Sequence, residues 1–223
     1  ENLLPESETT VTHLRYLGRE GMRDPANQIP GIPVPAVHTF LAQFIDHDIT
    51  LMDDRGAQIS LENPTLLSPD QIAKIINARS PNLDLDNIYG PNIDAQLSPP
   101  TDPDPRKMKI EKVIHDQGLP KGVNDELHDF PRIDNKTPRI GDSRDAENLI
   151  LAQLHVAFLR AHNAIVDDRD CDFEEAKKIL IQHYQLIVLE NFLEQICDPS
   201  IVKRIRYEGP TFFNPSPESF YMP

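Results

Sequence analysis

Helices held apart by long, proline- and aspartate-rich loops, with little or no β structure, are what this sequence predicts: a mainly α class. Three stretches carry the prediction. Residues 36–52 set Phe40, Phe44, Ile45 and Ile49 into an apolar helical body. Residues from about 142 to 166 are apolar all round, as in a core helix, and residues 174–196 are amphipathic and rich in good helix formers. Between them the 21 prolines and a mean hydropathy of −0.45 leave little room for further regular structure.

Taken in order, residues 1–34 read as an irregular arm closing on the Pro30–Pro35 segment, where three of six residues are proline. The first helix follows, from about Ala36 to Met52. Ser68-Pro69-Asp70 is a start signal, Ser as cap and Pro at the first position, for a second helix to about Ala78. Residues 80–145 show few clean periods. A loop of that length is functional or holds very short helices, and Lys107–His115 is the candidate for one. Asp142 or Ser143 then caps the long core helix to about Val166. Glu174–Ile196 is the last helix, and the final 25 residues return to proline-rich loop.

A formal charge of −14 argues against a nucleic-acid partner, which needs clustered Lys and Arg. No apolar run approaches the ~20 residues of a membrane-spanning helix. The chain starts at Glu1, so an upstream segment, a secretory signal included, is expected to have been removed. Cys171 and Cys197 bracket a helical stretch; at about 1.5 Å per residue they stand roughly 39 Å apart, too far to bridge.

Two short motifs concentrate the chemistry. The first is Gln43-Phe44-Ile45-Asp46-His47-Asp48, and the second Gly141-Asp142-Ser143-Arg144-Asp145-Ala146-Glu147-Asn148. Both place charge on what reads as buried helix, which is costly unless the charge is paired or bound to a ligand. Gln43, Asp46 and His47 share one helical face, and Asp48, rotated by about 100°, serves another environment. Polar residues at a helix end are the plain alternative. Arg144 and Glu147 are one turn apart, an ordinary ion pair unless buried, and His155 and His162 read as satisfied core histidines. Between the motifs, Ser80, Asn82, Asp84 and Asp86 put oxygen donors at alternate positions, suited to a hard cation such as Ca²⁺ or to an Asp-rich turn.

Together these segments resemble the animal-type haem peroxidase superfamily, from about residue 30 onward and in the family's order. The resemblance implies a mainly α haem-peroxidase domain in residues 35–223, with His47 as distal histidine, Arg144 as catalytic arginine and Gln43 as a distal hydrogen-bonder. It implies haem b, covalently held by esters at Asp46 and Glu147. It further implies calcium held by Asp48, Ser80, Asp84 and Asp86, with Asn82 giving its carbonyl. Asn148 stands where some members have a haem-bonded methionine, so no sulfonium link is expected. The activity implied is reduction of hydrogen peroxide and oxidation of a halide or organic donor through a ferryl intermediate, as in a response to oxidative stress. A secreted or extracytoplasmic site would suit the family. The proximal histidine is expected beyond Pro223, in a C-terminal remainder of the same domain that would be this chain's partner. Two alternatives stand beside this reading: a fatty-acid dioxygenase of the cyclooxygenase-like branch, and a catalytically incomplete structural or adhesive domain.

Overall fold

A computed structural model describes residues 7–21, 34–53, 68–90, 104–112, 128–133 and 137–209. The chain divides into two compact units, Glu1–Pro35 and Ala36–Pro223. In the first, helix α1 (Glu8–Tyr16) starts at a Ser7 cap that accepts from Thr10 N, and one π-type turn (Leu17–Gly21) follows. The arm read as irregular is therefore helical over these residues. No residue of α1 is buried, so no apolar stripe marked it, and its cap was the only signal.

The second unit is built on three helices. α2 (Val37–Ile49) falls within the span predicted for it and buries His38, Phe44, Ile45, His47 and Asp48. Its C-terminus is tied down by Asn77, whose amide nitrogen donates to Ile49 O at 2.7 Å and whose amide oxygen accepts from Leu51 N at 2.9 Å. Asn77 can reach because β1 (Met52–Asp53) pairs antiparallel with β2 (Ile76–Asn77). That pairing shortens the helix predicted to Ala78. α3 covers Pro69–Ile72 alone, although Ser68 and Gln71 form the full capping box. α4 (Asp86–Tyr89) is a single buried turn packed on α2.

Lys107–Lys112, expected to be helical, is instead extended. Asn163 clamps Met108 at both backbone groups, donating to its carbonyl at 2.9 Å and accepting from its N–H at 2.6 Å. β3 (Glu111–Lys112) then pairs with β4 (His128–Asp129), and residues 113–115 of the expected helix lie outside the described residues. β5 (Arg132–Ile133) and β6 (Thr137–Pro138) form a third two-residue pair. The mainly α reading holds, with β structure confined to these pairs among the described residues.

The core helix begins later than predicted. Asp142 caps a 3-10 turn over Ser143–Ala146, and Asn148 caps α5 (Leu149–Arg169), accepting from Leu151 N at 2.8 Å. By length and composition α5 is apolar enough to cross a membrane, contrary to the reading of the sequence. Leu151, Val156, Leu159 and Val166 bury its inner face, and α2 and α6 pack on the helix. α6 (Phe173–Ile187), capped by Asp172, runs through a π-type segment (Val188–Phe192) into α7 (Leu193–Ile196). The predicted helix is thus continuous but locally widened, with Val188 and Phe192 buried in the widened turn. Phe192 stacks on the His38 ring, centroids 5.9 Å apart. α8 (Pro199–Glu208) replaces part of the expected terminal loop; Asp198 caps it ahead of Pro199, and only Val202 is buried. Cys171 and Cys197 are free thiols.

Candidate functional site: a buried histidine and an acidic loop at one helix

The two motifs meet. His47 points inward and its Nδ1 lies 2.7 Å from Asp145 Oδ1, both side chains buried. His47 Nε2 has no partner among the described residues and is the ring's open nitrogen. Gln43 bridges the motifs at the rim, its amide nitrogen donating to Glu147 Oε2 at 3.1 Å. Its amide oxygen accepts from Asn148 Nδ2 at 3.2 Å. Asp46 accepts from the Thr50 hydroxyl at 3.1 Å.

The sequence reading put all these charges in buried helix, and the structure corrects that for two of them. Asp46 and Glu147 are exposed. Beside them Leu149 is 75% and Ile150 50% exposed. The first turn of α5 carries apolar groups outward as well as inward, so an all-round apolar pattern could not reveal which charges were covered. The result is a surface bearing two exposed carboxylates, Gln43 and bare aliphatic side chains.

Arg144 is half-buried and does not pair with Glu147. Its Nε and Nη2 donate to Asp142, Nε at 3.0 Å and Nη2 at 2.6 Å, and Nη2 also reaches the Thr50 and His47 carbonyls at 2.6 and 3.2 Å. Burial alone would depress the guanidinium pKa, and the Asp142 carboxylate more than reverses it. Asp142 in turn is shared with buried Arg79, 2.7 Å away. Burial raises its pKa, but the two arginines hold it below the usual carboxylate range. One face of this turn has no side chain at all. A Cβ on Gly141 would sit 2.5 Å from Asn87 O and 2.7 Å from Ile88 O, so the catalytic-type turn rests directly on the α4 backbone.

Across α2 lies the acidic loop. Asp48, fully buried, accepts from Asp86 N at 2.6 Å through Oδ1, while its Oδ2 has no hydrogen-bond partner. Ser80 Oγ donates to Asp84 Oδ2 at 2.9 Å, and Asp84 Oδ1 is likewise buried and unpartnered. Gln185 on α6 donates to the Asn82 and Leu83 carbonyls at 2.9 and 3.3 Å. Leu83 and Leu85 have φ of 54° and 60°, each a left-handed conformation costing roughly 1–2 kcal/mol for an L-residue. Asp48 is pushed up to about 7, chiefly by burial and further by the Asp84 and Asp86 charges, against the opposing hydrogen bond from Asp86 N. Tyr184 is close enough to interact with it, yet its own hydroxyl has no partner at hydrogen-bonding distance.

Of the two core histidines, His162 is satisfied as read: Nδ1 faces Tyr89 Oη at 2.8 Å and Nε2 faces Arg106 O at 3.0 Å. Burial lowers its pKa. His155 is bonded through Nδ1 to Asp145 Oδ2 at 2.6 Å, and its Nε2 is buried without a partner. Asp145, Asn87 and Tyr184 were not singled out from sequence, and Asp142 was read only as a helix cap. Asp145 stood inside the second motif, and a carboxylate beside Arg144 was the one signal available.

Residues 27–221 match the family model for animal haem peroxidases, and the chain belongs to that family. It is 30% identical to human lactoperoxidase over 60% of this chain and 21% of that protein. It is 32% identical to a peroxidase-like protein of Margaritifera margaritifera over 37% of this chain and 12% of that protein. The chain therefore spans about a fifth or less of the curated relatives it matches. No solved structure matches it.

Members of this family generally bind haem. The surface formed where the two motifs meet suits one face of such a group: two exposed carboxylates, an amide, a half-buried guanidinium and bare Leu149 and Ile150. His38, His155 and His162, by contrast, are buried in packing or hydrogen bonds. No group of three His, Cys, Asp or Glu side chains among the described residues is poised to hold a metal. The loop's oxygens are instead a mixed set of carboxylate, hydroxyl and carbonyl. The two unpartnered carboxylate oxygens fit a hard cation.

Proposed function

We propose that this chain provides the distal side of a haem peroxidase site, acting on hydrogen peroxide and a small halide or organic electron donor. The observation that carries the reading is His47, buried, bonded through Nδ1 to Asp145 and without a partner at Nε2 among the described residues, with Gln43 one turn earlier on α2 and Arg144 donating to the His47 backbone carbonyl. His47 Nε2 takes the proton of a hydroperoxide and returns it to the departing oxygen, the work of a neutral imidazole. Arg144 stabilises negative charge as it builds on that oxygen, using the guanidinium edge not committed to Asp142. Gln43, clamped between Glu147 and Asn148, orients the incoming peroxide. When bound, haem supplies the redox chemistry, and the protein supplies position and charge.

Asp46 and Glu147 are the carboxylates for ester links, being exposed and free of ion pairs among the described residues. Asp48, Ser80, Asp84 and Asp86, with the Asn82 carbonyl, hold Ca²⁺, which relieves the mutual repulsion of three carboxylates. The histidine that would bind the iron is supplied by a further segment of the same domain. The test is an absorption spectrum of the purified chain with haemin and imidazole added, followed by a peroxide pulse. Haem uptake and a peroxide-dependent spectral change, the latter slowed in Arg144→Ala or His47→Ala while haem stays bound, support the reading. Haem that is never taken up overturns it, and oxygen uptake with an unsaturated fatty acid would move it to the dioxygenase branch.

A further inference from the structure

Asp145 is the one charged residue of the second motif to which peroxidase chemistry, as derived above, assigns no task. It is fully buried, and no Lys or Arg among the described residues stands within ion-pair distance of it. Three donors from three different elements converge on it instead. His47 Nδ1 from α2 lies at 2.7 Å from Oδ1; His155 Nδ1 from α5 and Asn87 Nδ2 from α4 lie at 2.6 and 3.1 Å from Oδ2.

An ionised carboxylate only accepts, so each nitrogen facing it must bring a proton. Both imidazoles are then Nδ1–H tautomers. His155 supports this from its other end. Its Nε2 is buried with no partner, and a bare lone pair there costs less than an orphaned N–H. The His155 ring is also held in place, with Phe44 and Phe130 edge-on at 6.5 and 5.6 Å between centroids. The anchor is therefore rigid on the side away from His47.

We propose that Asp145 is the positioning residue for His47: it locks the ring as the Nδ1–H tautomer with the Nε2 lone pair facing the ligand side, and His155 and Asn87 anchor it in turn. It acts through His47, so it rests on the function proposed above. A backbone carbonyl could hold the same tautomer. A carboxylate tied to three helical elements also fixes the ring's angle, which matters because a misplacement of about 1 Å can cost about a hundredfold in rate.

The test reads the ring directly, in the chain without haem. With histidine rings labelled with nitrogen-15 and His47→Gln used to assign the signal, His47 should show a protonated Nδ1 and an unprotonated Nε2. A proton on Nε2 in the unaltered chain overturns the proposal, and no variant has to fold for that result. Asp145→Asn, close in shape, should abolish the preference while the helical circular-dichroism signal persists; an unchanged tautomer in that folded variant overturns it too. In the chain loaded with haemin and imidazole, Asp145→Asn should react with peroxide about 10²-fold more slowly with haem uptake unaltered. An equal rate counts against positioning. If the tautomer is as expected but the unaltered chain ignores peroxide, the functional reading falls and the tautomer assignment stands.

Discussion

Two fully buried aspartates meet at α2, Asp145 bonded to its His47 and Asp48 belonging to the helix itself, and they are opposites. Asp145 accepts three N–H groups, and neither of its oxygens is left over. Asp48 accepts one backbone N–H and keeps a buried oxygen idle, next to two further carboxylates and a loop bent through two left-handed leucines. The first arrangement is complete as a protein structure. The second leaves acceptor capacity unused, as the proposed cation site would require. A carboxylate's burial therefore says little until its acceptor capacity has been counted.

The sharpest way to break the contrast is to delete each carboxylate. Asp145→Ala strands two imidazole N–H groups and an amide in the core, and should destabilise the fold by on the order of 4 kcal/mol in urea titration. Asp48→Asn in EDTA at pH 8 should be neutral or stabilising. Equal losses for the two would erase the distinction. The pH dependence comes next. Asp48 has a folded-state pKa raised to about 7 from 3.8, so the folded chain holds a proton that the unfolded chain has released. Without calcium, stability should fall by a few kcal/mol as pH rises from about 4 to about 7, and Asp48→Asn should flatten that slope. His162, whose pKa is lowered by burial, works in the other direction, its contribution falling away as pH drops below the unfolded value. Calcium at a hundredfold excess over Kd should add about 2.7 kcal/mol, seen as a rise in Tm that Asp84→Ala abolishes. The smallest effect is that of Gln185→Ala, about 1 kcal/mol, with weaker calcium binding because the Asn82 and Leu83 carbonyls lose their tether.

The contrast also marks what a sequence can disclose. α2 was legible because Phe44, Ile45 and Ile49 give it a body, and the motif residues His47 and Asp48 are buried as charge in such a body suggested. α1 and α8 were missed because they bury almost nothing; their caps, Ser7 and Asp198-Pro199, were the available signals and no periodicity stood behind them. Asp145 was illegible because a four-residue 3-10 turn has no period to show which side of it faces inward. The exposure of Asp46 and Glu147 was hidden by the same rule that found the core helix, since Leu149 and Ile150 are apolar without being covered.

Gly141 gives these observations a mechanical meaning. With backbone resting on backbone, the turn that carries Arg144 and Asp145 and the helix that follows the acidic loop behave as one casting rather than two parts joined by a side chain. The gap between them cannot be retuned by trading residues, because no smaller residue exists and any larger one forces the parts asunder. Gly141→Ala would push the two apart while leaving every named polar group in the chain.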